Sequence, residues 1–450
     1  MSTQLQKRYG LMTAMAMVVG IVIGSGVFFK AEKILVSTGG DLPMGILAWI
    51  IGGVIMVSCA YTFAILATKY EKVNGIVDYA EAAVGETYGY YVGWFMATIY
   101  YPTLTSVLAW VSARFVCVLI GWDIVGPECM VIALFFLVGS YALNALSPIL
   151  AGHFQVAATI IKLIPLVLMA VVGTIFGLMN GMTVQNFTTV VAPVDSPMTA
   201  LFTAVVATAF AYEGWIIATS INAELHNAKK NLPTALLGGT IIVMVVYIAY
   251  YIGLAGTVSN ETMMAGGQDG AKIAFEMVFS KAAGTLLFVF VIISCLGTLN
   301  GLMLGCTRGL YSVAARGRGP RPELMAQIDD KTNMPTSSAI VGLLLCAFWF
   351  MFFYGANLVA VPWFGFLSFD TSELPIVATY ALYIPIFVMM ITKEKGLGTF
   401  KGKVMPILAI LGSVFMIVAA VFSHQWKVLA FIIVFVVFMI PGALTAKKKI

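Results

Sequence analysis

The sequence predicts an all-α integral membrane protein of twelve transmembrane helices. Of its 450 residues, 61% are hydrophobic and only 10% charged, and the mean hydropathy of +0.98 lies far from the balance of a soluble domain. Apolar runs of about twenty residues, each able to cross ~30 Å of hydrocarbon as a helix, recur from Leu11 to Pro441. A barrel is excluded because the runs are too long and continuous for short alternating strands, and helices satisfy their own backbone groups inside a bilayer.

The spans are expected near 11–35, 44–68, 90–120, 130–148, 155–178, 199–221, 234–256, 285–313, 336–354, 362–391, 404–423 and 427–444. The first carries a Gly24-Ser25-Gly26 triplet halfway along, the fifth carries Lys162, and the sixth carries Glu213 beside Gly214. Only the first and sixth are interrupted; the others are continuous apolar runs. No linker separates a second domain, so 1–450 reads as one transmembrane domain. The interrupted helices open two five-helix blocks of similar length, 11–179 and 199–391, as an inverted repeat requires, and helices 11 and 12 (404–444) follow them. The first helix lacks signal-peptide features and is expected to stay.

The net charge of +5 is distributed by loop. Lys7, Arg8, Lys69, Lys72, Lys229, Lys230, Arg316, Arg318, Arg321, Lys331, Lys393, Lys395, Lys401, Lys403 and Lys447 to Lys449 fall on one set of loops, and few basic residues fall on the other. Positive loops face the cytoplasm, so both termini are expected there, and the charge needs no nucleic acid to explain it. The six cysteines read as small buried hydrophobes, with Cys129 alone near an external loop. His153, His226 and His424 lie at helix ends without ligand spacing, so no metal or other cofactor is expected. No phosphate-binding loop and no nucleophile–base set is present, which argues against an ATP-driven pump or an enzyme.

An interrupted helix ends in unpaired carbonyls and restarts with unpaired amides. The amides of Ser25, Gly26 and Val27 suit a carboxylate, and the carbonyls of Val22, Phe210 and Glu213 suit an ammonium group, so Val22, Ile23, Gly24, Ser25, Gly26, Val27, Phe210, Ala211, Tyr212, Glu213 and Gly214 form the candidate binding set. A ligand with both charges on one carbon fits these ends. The commonplace reading of such glycines is close helix packing; placement of the two interruptions at the head of each block weighs against it. Lys162 and Glu213 lie deep in apolar runs, where a charge costs at least about 2.5 kcal/mol and normally faces a partner or cavity. Lys162 reads as functional or as a tether for helix carbonyls. Glu213 reads as a proton carrier, a selector of a substrate amine or a structural hydrogen-bond acceptor. Glu224, in the loop segment 222–233, reads as a solvated charge.

Several segments together resemble the amino acid-polyamine-organocation superfamily, in its L-amino-acid transporter branch with bacterial serine/threonine- or alanine/serine/cysteine-type exchangers. They are GIVIGSGVF at 20–28, NGIVDYAEAAVGETYGYYVGW at 74–94, IIKLIP at 160–165, FAYEGW at 210–215, AELHNAKKNLPTAL at 223–236 and CLGTLNG at 295–301. The resemblance implies a LeuT-like 5+5 inverted repeat with helices 1 and 6 broken, and sodium-independent alternating access. It implies that Lys162 links the helix-1 break to helix 8 in place of a sodium ion, that Phe210 closes over substrate, and that Tyr247 and Asn300 belong to the coupling and gating set. Glu213 departs from the small or Asp residue common in relatives, and Val73-Asn74-Gly75-Ile76 departs from their Ser/Thr-Gly-Gly turn. The expectation is a plasma-membrane exchanger of small neutral L-amino acids, held by the lipid bilayer and needing no obligatory protein partner. Transport of cationic amino acids or amines, with exchange or proton coupling, is the alternative, and a channel or amino acid sensor is the rival from another class.

Overall fold

Residues 10–70, 75–216, 225–330, 332 and 334–447 are described by a computed structural model. Lys7, Arg8, Val73, Asn74, Lys72, Glu224, Lys331, Lys448 and Lys449 lie outside the described residues. The chain is helical, with no strand among the described residues.

The first expected span is two helices, α1 (Leu11–Val22) and α2 (Gly26–Ser37), bent by 45° at the break. The α3 helix (Leu42–Lys69) starts on Asp41, whose carboxylate accepts the Met44 amide at 2.9 Å, with proline in its first turn. A short α4 (Ile76–Ala83) leads into α5 (Glu86–Ile120). Inside α5 a π turn spans Met96–Tyr100, just ahead of Pro102. Pro102 has no N–H for the Thr98 carbonyl one turn back; the indole N–H of Trp349 supplies that bond at 2.8 Å. The chain continues through α6 (Pro127–Leu146) and α7 (Pro148–Leu168), which runs on through a second π turn at Met169–Gly173.

Next come α8 (Pro197–Ala211), α9 (Ala228–Ala255) and α10 (Gly270–Ala314), the last bent at Ser280, whose φ is +69°. The remaining helices are α11 (Thr336–Phe353), α12 (Leu374–Lys393), α13 (Met405–His424) and α14 (Trp426–Leu444). Among the described residues, ten helices are long and apolar enough to cross a membrane, and the bent α1/α2 pair makes an eleventh. The α8 helix is apolar but shorter, and the chain beyond Ile216 toward the end of the sixth expected span lies outside the described residues.

Two starts differ from expectation: the eighth span was expected from 285, but its helix runs from Gly270 across the bend at Ser280. The tenth span was expected from 362 but its helix begins at Leu374. Pro362 and Gly365 (φ +52°) interrupt the run, and Asp370 folds the chain into a turn by accepting the Ser372 amide at 2.8 Å. All six cysteines are buried free thiols.

The two faces of the helix assembly are tied differently. On the face bearing the C-terminus, Arg316 pairs with Asp78 (2.5 Å) and Glu81 (3.2 Å), Arg318 with Glu86 (2.9 Å) and Lys69 with Glu394 (2.5 Å). On the opposite face, Lys30 and Lys33 of α2 reach Glu373 just before α12, at 2.7 and 2.5 Å, and His424 at the end of α13 meets the second Glu373 oxygen at 3.0 Å. Lys30 and Glu373 are 1% and 0% exposed, so this is a buried ionic cluster.

Candidate functional site

The site is built on the ends of broken helices. Because α1 stops at Val22, the carbonyls of Gly20, Ile21 and Val22 have no amide one turn ahead. Each meets a group from elsewhere in the chain. Lys162 of α7, fully buried, donates its ammonium N–H to the Gly20 carbonyl. The Tyr247 hydroxyl of α9 lies 2.9 Å from the Val22 carbonyl. The Ile21 carbonyl faces Gly214, where a Cβ would sit 3.4 Å from that oxygen. Gly214 has φ +105°, so both its backbone and this close approach favour glycine.

The second broken end converges on the same place. The α8 helix stops at Ala211, and the Ala211 carbonyl lies 3.1 Å from the same Tyr247 hydroxyl. One phenol therefore touches the terminal carbonyls of both interrupted helices. On the restarting side, Gly26 at the start of α2 packs on the Ala211 backbone so closely that a Cβ would overlap the Ala211 Cα. Ser25 is buried and its hydroxyl has no hydrogen-bond partner among the described residues. The amides of Ser25, Gly26 and Val27 precede the first turn's own acceptors, and the first α2 bond at this end is Phe29 N–H to Ser25 O at 2.9 Å. Carbonyl ends and amide ends thus lie side by side, with partial charges of opposite sign.

Val22, Ile23, Gly24, Ser25, Gly26, Val27, Phe210 and Ala211 are all buried around this junction. Gly24 abuts the Thr298 side chain of α10. Phe210 stands edge-on to Phe29 (5.7 Å) and lies under the Lys30 ammonium (5.2 Å). Tyr212 turns away toward α3: its hydroxyl donates to the Trp49 carbonyl at 2.9 Å and its ring stacks on Tyr247 at 5.3 Å. Asn300 also faces elsewhere. Its side chain bonds Ala151 and Gln155 of α7, each at 3.2 Å, and accepts from Asn144 of α6 at 2.9 Å. Lys162 sits one helical turn beyond Ala158, which packs on Gly297 of α10, so it joins α1 from the α7–α10 seam.

Glu213, in the turn after α8, is half-buried, and the Tyr100 hydroxyl donates to one of its carboxylate oxygens. Tyr100 belongs to the π turn of α5, whose extra residue re-aims the side chains of that turn. The Tyr100 contact was not legible in the sequence, because tyrosines in an apolar run give no sign of what they face. Lys30, Lys33, Asp370, Glu373 and His424 were also missed. Their signal was present as i, i+3 charge pairs at 30/33 and 370/373, beside spans where a charge is costly.

A family model described as amino acid permease matches residues 9–440. The chain belongs to the amino acid permease family. Over 421 residues it is 30% identical to the serine/threonine exchanger SteT of Bacillus subtilis, covering 92% of this chain and 91% of that one. It is 27% identical over 409 residues to the b(0,+)-type amino acid transporter 1 of Mus musculus, covering 87% and 82%. It is 26% identical over 341 residues to the cystine/glutamate transporter of Homo sapiens, covering 75% and 66%. These permeases are transporters, so this multi-pass membrane protein is a transporter of amino acids and not an enzyme.

Proposed function

We propose that this permease exchanges small neutral L-amino acids without sodium, by alternating access around the α1/α2 and α8 breaks. The observation that carries the reading is the Tyr247 hydroxyl within 2.9 and 3.1 Å of the Val22 and Ala211 carbonyls. It supports a site where two helix ends hold an α-ammonium group and the α2 amides at Ser25, Gly26 and Val27 hold the α-carboxylate, leaving the side chain to be selected. Lys162 holds the last turn of α1 as a fixed cation, and Phe210 covers the substrate. Asn300 fits a supporting role, holding α10 against α6 and α7. The proposed framework is twelve spans in one domain, with an inverted repeat of 11–179 and 199–391 and helices 404–444 outside it. Cytoplasmic termini in a plasma membrane would make the Lys30–Glu373 face external. The protein is proposed to act without an obligatory protein partner.

A second reading is favoured by one observation. Glu213 is half-buried beside the break, where Tyr100 engages one carboxylate oxygen, and its negative charge there suits a substrate amine. Cationic amino acids or amines then become substrates. Labelled alanine entry into sodium-free proteoliposomes, preloaded with alanine or not, separates the readings. Entry only into preloaded vesicles supports neutral exchange. Entry into unloaded vesicles that rises with external acid refutes obligatory exchange, and uptake of labelled lysine that Glu213→Gln abolishes supports the second reading.

A further inference from the structure

A cavity of about 410 Å³ opens on the Lys30–Glu373 face, between the end of α2, the connection preceding α12 and the α13–α14 turn. Its wall includes Lys33, Ser368, Phe369, His424, Trp426 and Lys427. A volume of this size suits a small organic molecule. The two carboxylates that also face it are already engaged: Asp370 bonds Lys33 at 3.2 Å, and Glu373 bonds Lys30, Lys33 and His424. Two ammonium groups, Lys33 and Lys427, share the wall with these two carboxylates, and a third, Lys30, stands behind it against Glu373.

The cavity also holds an uncommitted donor. Ser368 is 4% exposed, and its hydroxyl has no hydrogen-bond partner among the described residues. A buried hydroxyl left unpaired costs free energy that a polar ligand recovers. Lys33 makes two bonds and keeps a third N–H, and exposed Lys427 adds a second cation. Trp426, half exposed, supplies apolar surface beside these donors, with buried Phe369 behind it.

We propose that this cavity is a docking site for a small organic carboxylate. Its oxygens are received by Ser368, Lys33 and Lys427, and its carbon skeleton lies against Trp426. The site is separate from the α1/α2 break. Because Lys33 also bonds Glu373, an arriving carboxylate competes for that ammonium and thereby bears on the contact between α2 and α12. The carboxylate can be a free acid or that of an amino acid approaching the permease.

The probe is trifluoroacetate, titrated by fluorine NMR line broadening onto the purified full-length protein in nanodiscs. Ser368→Ala and Lys427→Gln should each weaken its binding, on the order of tenfold for a hydrogen bond to a charged group, while exchange of labelled alanine in proteoliposomes stays at the wild-type rate. Displacement of trifluoroacetate by alanine identifies an amino acid carboxylate as the occupant, and absence of displacement identifies a free acid. No saturable binding to the wild-type protein, or equal binding to both variants and wild type, overturns the proposal. Lys427 is exposed, so its substitution keeps the test decisive should Ser368→Ala disturb folding.

Discussion

Replacing Glu373 by Gln removes the charge at the centre of the buried cluster that joins α2 to α12. In the native protein one carboxylate serves Lys30 at 2.7 Å, Lys33 at 2.5 Å and His424 at 3.0 Å, and its side chain is fully buried. The variant leaves the Lys30 ammonium buried against neutral acceptors, the Ser372 hydroxyl at 3.0 Å and the new amide oxygen. Breaking a buried pair by deleting one partner costs about 3–5 kcal/mol, roughly two to three powers of ten in an equilibrium constant. Much of that cost falls on states in which α2 is docked on α12. The expected results are a lower thermal midpoint in detergent and faster modification of Ser25→Cys by an impermeant thiol reagent added from the Lys30–Glu373 face. The native cysteines are buried, so background labelling is low. Replacing both partners, as Lys30→Met with Glu373→Leu, should recover most of the lost stability, because no unpaired charge is left behind. An unchanged midpoint and labelling rate in Glu373→Gln would refute the reasoning. Acid provides an independent check. Burial alone would raise the Glu373 and Asp370 carboxyls, but Lys30 and Lys33 facing Glu373, and Lys33 facing Asp370, hold both below the usual carboxylate range. A depressed folded value means stability that is fully present above the ordinary value of about 4 and is lost as pH falls toward the folded value. The thermal midpoint of the wild type should therefore drop below about pH 4 more steeply than that of the paired apolar variant.

Further substitutions separate site from scaffold. Gly26→Val places carbon atoms on the Ala211 backbone and should abolish alanine exchange while helical circular dichroism remains. Tyr247→Phe leaves the Val22 and Ala211 carbonyls without their hydroxyl, a loss of about 1–3 kcal/mol, and should raise KM for alanine at least several-fold in proteoliposomes; an unchanged KM would remove Tyr247 from the site. Lys162→Met should lose both transport and thermal stability, because the buried Gly20 carbonyl loses its donor. Asn300→Ala should lower the thermal midpoint with little change in KM, since its side-chain bonds go to α6 and α7.

Much of the scaffold was legible because bilayer thickness imposes a length on every apolar run, and helix ends at Gly121 and at the Gly24–Gly26 triplet coincide with residues that leave the helix readily. The tenth span was misplaced at its start because Trp363, Phe364, Phe366, Leu367 and Phe369 are as apolar as a helix, while Pro362, Gly365 and Asp370 set the backbone. The break at 23–25 and the turn after Ala211 could be read from glycine placed at mid-membrane depth. Their mutual contact could not, because it depends on α9 delivering Tyr247 to both. Tyr212 and Asn300 show the same limit: the helix interruption puts the one near the site and the family resemblance the other, but neighbouring helices engage Tyr212 at Trp49 and Asn300 at Asn144. Charge pairs separated by some 340 residues, such as Lys30 and Glu373, leave no local periodicity to find.

The tyrosine shared by the two helix ends has an arithmetic of its own. A phenol has one proton, and two carbonyls stand within its reach. It can satisfy either one fully or both partially, so the two half-helices it joins are short of one donor. An ammonium group carries three. A substrate amine placed there closes the deficit for both carbonyls at once, and it binds the halves to each other as much as to itself. On the proposed reading the cargo is also the crosslink of this junction, and a change of conformation that moves one half relative to the other is then made easier by carrying that crosslink along than by travelling without it.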